Sequence, residues 1–346
     1  MVADSFRAPT TGRDPVRARL CVVVVAVALG LGCASGAPTG SLPGSSSPSW
    51  PQGDPKVLFE KVVETEGDLG RSLLLRRLTG QGPQPLFERP YGVAWDGKDL
   101  LVTDPGAGIV LKLTEKGKIY RTRQELLVGP IGVTACFDGV VVADARSGRL
   151  GLFNEHLHFV RWLAEDLERP TGVACVNGGV AVVETAAHRI VIIELDGTRR
   201  ELGARGAGAG EFNFPAAIAS AGDVLWVGDT LNFRIQEIDV ETGRSLGNFG
   251  HLGDSPGETP RIKGLAMDVQ GHVWVSDAHL DLIALFDRDG LFLINIGGPG
   301  RENGEFSFPA GIAAHPDGRV AVVDSLNRRV QILRVVDSKG HSREGQ

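Results

Sequence analysis

Long apolar runs, aromatic side chains and an excess of positive charge are all scarce in this 346-residue chain, and each scarcity removes a class of function. The longest apolar run, Leu20 to Leu31 (LCVVVVAVALGL), is about a dozen residues, short of the roughly 20 that a mature helix needs to span a bilayer. Aromatic residues make up 6% against 47 glycines, a balance that favours many turns. The formal net charge of -6 argues against a nucleic-acid partner, because affinity for a phosphate backbone comes mainly from clustered Lys and Arg. The length permits two average domains, although all-β domains of more than about 200 residues are routinely single units.

The N-terminal third of the first hundred residues is not domain material. Arg7, Arg13, Arg17 and Arg19 lead into the apolar run, the pattern of a secretory signal. Gly32-Cys33 follows, then Ala34-Ser35-Gly36, which resembles a bacterial lipobox. That resemblance implies a signal peptide over 1–33 and Cys33 as the lipid attachment site, with export to the periplasm or the cell exterior as a membrane-anchored lipoprotein. Gly30 stands where the motif expects Leu or Val, and ordinary cleavage near Ser35-Gly36-Ala37 is the alternative. Residues 34–55 are Ser, Gly and Pro with little apolar content, too poor in buriable surface to offset ordering entropy. They read as a disordered tether holding a domain on the order of 25 Å from its anchor. Residues 337–346 read as a polar tail.

The body of the chain repeats itself. GEFNFPAAIA at 210–219 returns as GEFSFPAGIA at 304–313. Alignment on Pro-x-Gly or its equivalent yields six copies, starting at 90, 130, 170, 215, 262 and 309, with steps of 40, 40, 45, 47 and 47. In every copy an apolar run ends in an acid at one phase: Asp104, Asp144, Glu184, Asp229, Asp277 and Asp324. The copies share an order of short apolar segments separated by Gly or Asp-Gly turns, and the third segments (RIQEIDV, RRVQILRVV) alternate with the period of a strand. Four short strands in about 40–47 residues make one blade of a β-propeller. The expectation is an all-β, six-bladed propeller of four-stranded antiparallel blades over 56–336. The sixth copy has only three strands, so an N-terminal strand must close the ring. Residues 57–63 (VLFEKVV) are the preferred candidate and 73–78 (LLLRRL) the alternative.

These features resemble the NHL repeat family, over roughly 57–336. The signature Asp-x-x-Asn-x-Arg stands as Asp229, Asn232, Arg234 and as Asp324, Asn327, Arg329, while copies two and three keep part of it and copies one and five have Ile109 and Leu282 in place of the Arg. The arrangement is similar to bacterial six-bladed propeller lipoproteins, which implies a fold more than a function.

The repeated acids are expected to serve the blades, since a carboxylate at a strand end accepts backbone N–H groups of the adjoining turn. Amidating lyases of this repeat type bind zinc through the middle residue of Pro-His-Gly, and the corresponding residues here are Tyr91, Ile131, Thr171, Ala216, Lys263 and Ala310, none of them a ligand. Gluconolactonase-like and regucalcin-like propellers place Glu, Asn and Asp on a channel ion, a pattern without a residue-by-residue match here. No metal, cofactor or catalytic residue is therefore expected. Cys136 and Cys175 lie in the first strands of adjacent copies and are expected to be buried small hydrophobes, a disulfide being the alternative.

Arg89, Arg169 and Arg261 precede three anchors, and Tyr91 and Lys263 follow theirs by one, so all five are expected to ring one mouth of the channel. Basic groups in a concave mouth concentrate anions. The reading is a monomeric, non-enzymatic scaffold binding a protein or an anionic ligand, with a metal-dependent lyase or hydrolase working in the channel as the alternative.

Overall fold

The structure, a computed structural model, describes residues 47–51, 56–69 and 84–336. Cys33, the 1–33 signal, most of the 34–55 tether, the alternative strand at 73–78 and the 337–346 tail lie outside the described residues. Among the described residues no helix is long and apolar enough to cross a membrane.

Six antiparallel sheets follow one another along the chain. Their first strands are Val93–Asp96, Pro130–Cys136, Pro170–Val176, Pro215–Ala221, Ile262–Met267 and Pro309–Ala314, and these line the axis. Five sheets run from first to fourth strand in chain order. The sixth is completed by Val57–Val63, which pairs antiparallel with Arg329–Val335. This is the expected six-bladed propeller with an N-terminal closing strand. One boundary of the tether is corrected: Ser49–Trp50 pairs with Val57–Val63 as a fifth strand, because Trp50 packs on the core between blades 5 and 6.

Alternation along each strand explains why the blades assemble. In Asp99–Asp104, Leu101 enters the cluster shared with blade 2, while Leu100 and Val102 enter the one shared with blade 6. In Gly139–Asp144, Val140 and Val142 face blade 1, whereas Val141 and Ala143 face blade 3. Successive side chains point to opposite faces of a strand, so a strand apolar at every position needs a neighbour on both sides. The described residues form six apolar clusters, one for each junction between blades. Outer strands such as Ser245–Phe249 are only half-buried and correspondingly mixed in sequence.

Near the axis the first strands nearly touch. A Cβ on Gly132 would stand 2.0 Å from the carbonyl oxygen of Thr171, and one on Gly92 would stand 2.1 Å from that of Ile131. Blade 4 carries Ala217 instead of the anchor glycine, and its register partner is Gly228 where blades 2 and 5 have Ala143 and Ser276. The glycine has changed strands and the spacing is kept. The same convergence corrects the expectation for the cysteines. Cys136 and Cys175 form a disulfide with their Cα atoms 5.6 Å apart, because adjacent first strands lie closer than a blade-to-blade separation further out.

Each repeated acid is buried and accepts a backbone N–H from the segment entering its own blade, at 2.6–2.7 Å: from Glu88, Val128, Glu168, Asn213, Arg261 and Ser307 in turn. In blades 4 and 6 the signature residues converge on the same carboxylate. Asp324 receives Asn327 Nδ2, Arg329 Nε and Gln331 Nε2, while Arg329 Nη2 reaches the carbonyls of Glu302 and Glu305. The repeated GEF segment is thereby fastened, with Phe212 and Phe306 fully buried beneath it. The acids are latches of the blades.

Removing a buried carboxylate that faces an arginine leaves that charge uncompensated, at a cost of about 3–5 kcal/mol. Asp324→Ala is expected to lose that much stability in urea unfolding and Asp324→Asn less, since the amide keeps one acceptor. A cost for Asp324→Ala below about 1 kcal/mol, the range of a surface pair, would contradict the latch.

Candidate functional site

The axis itself is narrow and, among the described residues, carries no cluster of catalytic or metal-ligating groups. It encloses about 70 Å³ of open space, walled at one level by Val93, Val133, Val173, Ile218, Leu265 and Ile312, one from each blade at the same distance after its anchor. No carboxylate or imidazole lines this wall, and no group of three His, Cys, Asp or Glu converges anywhere among the described residues. The residues present do not fit a channel metal.

A larger cavity of about 440 Å³ opens above the axis, displaced towards blades 3, 4 and 5. Its polar lining includes Tyr91, Arg169, Arg261 and Lys263, and its apolar lining includes Phe214, Leu231, Leu252 and Pro260. Local structure fixes each polar group. Arg169 is left-handed (φ 55°) just before Pro170, and its carbonyl accepts the Thr185 N–H. Arg261 donates its backbone N–H to the latch Asp277, and its guanidinium lies 6.0 Å from the centre of the Phe308 ring. Lys263 projects from the first strand of blade 5. Tyr91 is held at the ring's closing seam, where its carbonyl accepts the Gly311 N–H at 2.7 Å. Phe214 donates its N–H to Nδ1 of the buried His188, which joins blade 3 to blade 4.

The latch arginines of blades 3, 4 and 6, Arg189, Arg234 and Arg329, are paired with carboxylates, whereas Arg169, Arg261 and Lys263 form no ion pair with any described residue. Burial and the charges of Arg261 and Arg169 depress the Lys263 ammonium below its ordinary range, only partly opposed by Asp277. Burial raises the Tyr91 phenol, against the pull of the same two arginines, so the hydroxyl stays protonated and able to donate. Such a cluster repels cations and stabilises anions.

Four of the five residues expected at the mouth are therefore brought together. Arg89 is not among the residues lining the cavity: it is exposed, with its backbone N–H on Asp104 and its Cβ against Gly106 in blade 1's own turn. The expected ring of cations is a cluster on one side. Sequence reasoning missed Phe214, Leu231 and Leu252, although Leu231 lies in the same Asp-x-Leu-Asn turn as the signature residues it did read.

The sequence matches no family model and no curated protein. Its backbone does resemble solved structures. A gluconolactonase from Xanthomonas campestris aligns with a TM-score of 0.56 at 16% identity, over 80% of this chain and 98% of that one. Virginiamycin B lyase from Staphylococcus aureus aligns at 0.51 and 14%, over 72% and 95%. A luciferin-regenerating enzyme aligns at 0.56 and 11%, over 72% and 92%. The likeness is one of fold. At these identities it establishes the six-bladed propeller, and neither the NHL repeat family nor an activity follows from it.

Because Lys263's folded pKa lies below its unfolded one, its protonated form costs stability at neutral pH. The cost falls as pH rises through the depressed value towards the ordinary 10.5. Lys263→Met is expected to raise stability at pH 7, with the gap to the unsubstituted protein closing only as pH passes the ordinary 10.5, towards about pH 11. Thermal denaturation at both pH values checks this, and a destabilised variant at pH 7 would refute the electrostatic account.

Proposed function

We propose that this chain is an exported binding propeller whose channel mouth captures an anionic ligand or an acidic segment of a partner, without catalysis. The observation that carries the reading is the convergence of Arg169, Arg261, Lys263 and Tyr91 on one cavity with no carboxylate paired to any of the three cations. Lys263 is half-buried beside two exposed arginines that depress its ammonium, and a counter-charge from outside is the economical account of the arrangement. The cavity volume falls in the roughly 300–1,000 Å³ range of small-molecule sites.

Export supports the same reading. The Cys136–Cys175 disulfide belongs to an oxidising compartment, where such bonds form and persist. The signal-like segment and Cys33 would hold the monomeric propeller at a membrane, facing the periplasm or the cell exterior. Cys33→Ala is expected to move the protein from the membrane pellet to the soluble fraction after export, with loss of incorporated labelled fatty acid. Membrane retention and labelling that survive the change would remove the anchor from the proposal.

The site is tested by titrating inorganic phosphate and citrate into the purified full-length chain by calorimetry, at low and high salt. Hydrogen bonds to charged groups contribute about 1.5–3 kcal/mol, so Arg169→Ala or Arg261→Ala should each weaken binding roughly ten- to a hundredfold, and added salt should weaken it further. Arg89→Ala, outside the cavity, should leave it unchanged. Equal binding by the Arg169→Ala/Arg261→Ala double variant would discard the site. Zinc or calcium that survives dialysis in stoichiometric amount would favour a metal-dependent lyase or hydrolase instead.

A further inference from the structure

The mouth cavity is two-sided. Tyr91, Lys263, Arg169 and Arg261 present polar groups over the axis, and Phe214, Leu231, Leu252 and Pro260 form an apolar shelf away from it. The two leucines are 48% and 60% exposed, a large apolar surface left open beside a charge cluster.

The loop between blades 4 and 5 shows where this arrangement comes from. Residues 250–262 (GHLGDSPGETPRI) align without gaps with 203–215 (GARGAGAGEFNFP) and 297–309 (GGPGRENGEFSFP). Arg261 replaces Phe214 and Phe308 of the other two loops, and Leu252 replaces Arg205 and Pro299. A single loop has thus gained a cation at its anchor end and an exposed leucine at its other end, and both line one cavity. The repeat accounts for the Arg, which also precedes the anchors of blades 1 and 3, but not for the leucine. Leu231, by contrast, shares its turn position with Leu326, which is also exposed, so it was available to the shelf before the loop diverged.

Resting on the anion-binding reading above, we infer that the ligand is an amphiphile, with an anionic headgroup over Lys263 and an unbranched apolar chain lying on Phe214, Leu231 and Leu252. Charge complementarity fixes the headgroup, and the apolar shelf is continuous with it in one cavity. The apolar lining belongs to blade 4 and the loop into blade 5, so the chain leaves sideways in that direction. A phosphate or a carboxylate satisfies the same donors.

The test compares inorganic phosphate with hexyl, octyl and decyl phosphate, each below its micelle-forming concentration, on the purified full-length chain. Each methylene that reaches the shelf should tighten binding by roughly fourfold, and Leu231→Ser/Leu252→Ser should lower decyl phosphate affinity by roughly tenfold or more while leaving inorganic phosphate unchanged. Both leucines are exposed, so the variant is expected to fold, and retained Tm confirms that. Binding that is independent of chain length and unaffected by the leucine changes would overturn the amphiphile and leave the anion site standing. If neither phosphate nor any alkyl phosphate binds, both readings fall. Binding to vesicles of anionic phospholipid without binding of monomeric alkyl phosphate would overturn the inference in favour of a membrane-facing surface.

Discussion

Every blade of this molecule depends on burial of both faces of a sheet that cannot cover itself. The second strands are apolar at nearly every position, and their alternate residues belong to different interfaces. A single blade would leave two apolar faces in water, each worth many residues at roughly 25 cal/mol per Å². Stacking alone would still leave the faces at the two ends, and only a closed ring covers all of them. The pairing of Val57–Val63 with Arg329–Val335 therefore does more than add a strand: it joins the two ends of the chain in one blade and makes the sixth interface possible.

Closure has a consequence at the axis. Six first strands converging on one line leave no space for Cβ atoms where neighbouring backbones meet, which is why glycine recurs two residues after the anchor. Blade 4 shows that the constraint is on distance and not on residue type, because Ala217 is accommodated once its strand partner is Gly228. The same convergence brings Cys136 and Cys175 within bonding distance. It also narrows the channel, leaving the mouth as the place where side chains have freedom to differ.

The ring was legible from the sequence because its physical causes are periodic. Six acids at one phase mark six places where a carboxylate fastens the entering segment, and the signature Asn and Arg of blades 4 and 6 converge on that carboxylate in space as in register. Distances across blades were not legible. The cysteines are in different copies, and nothing in their spacing says that first strands approach to 5.6 Å. Trp50 lies in a stretch whose composition is that of a tether, and a single large aromatic was enough to seat its strand on blades 5 and 6. At the mouth, equal positions before an anchor placed Arg89, Arg169 and Arg261 on one circle, but a circle does not say towards which sector a side chain leans. The leucines were missed for the opposite reason: in a repeat with many exposed turn residues, a single apolar one carries no signal until a charged neighbour shares its cavity.

Repetition itself separates structure from function in such a ring. A feature present in all six blades is explained by what all six blades need, as the latching acids are. What remains are the positions at which one blade departs from the rest without a gain in packing. The residue between anchor and glycine is Ile131, Thr171, Ala216 and Ala310 in four blades and, in blade 1, Tyr91, which packs against the core between blades 1 and 6, but Lys263 in blade 5. Ala310 packs in the core, and Thr171 hydrogen-bonds across to blade 4. Lys263 instead sits half-buried beside two arginines with no carboxylate paired to it, an arrangement that lowers its own charge. Leu252 departs from its counterparts Arg205 and Pro299 in the loop that leads to Arg261. Departures that cost stability and cluster on one cavity have no explanation within the ring, so their explanation lies with what enters it.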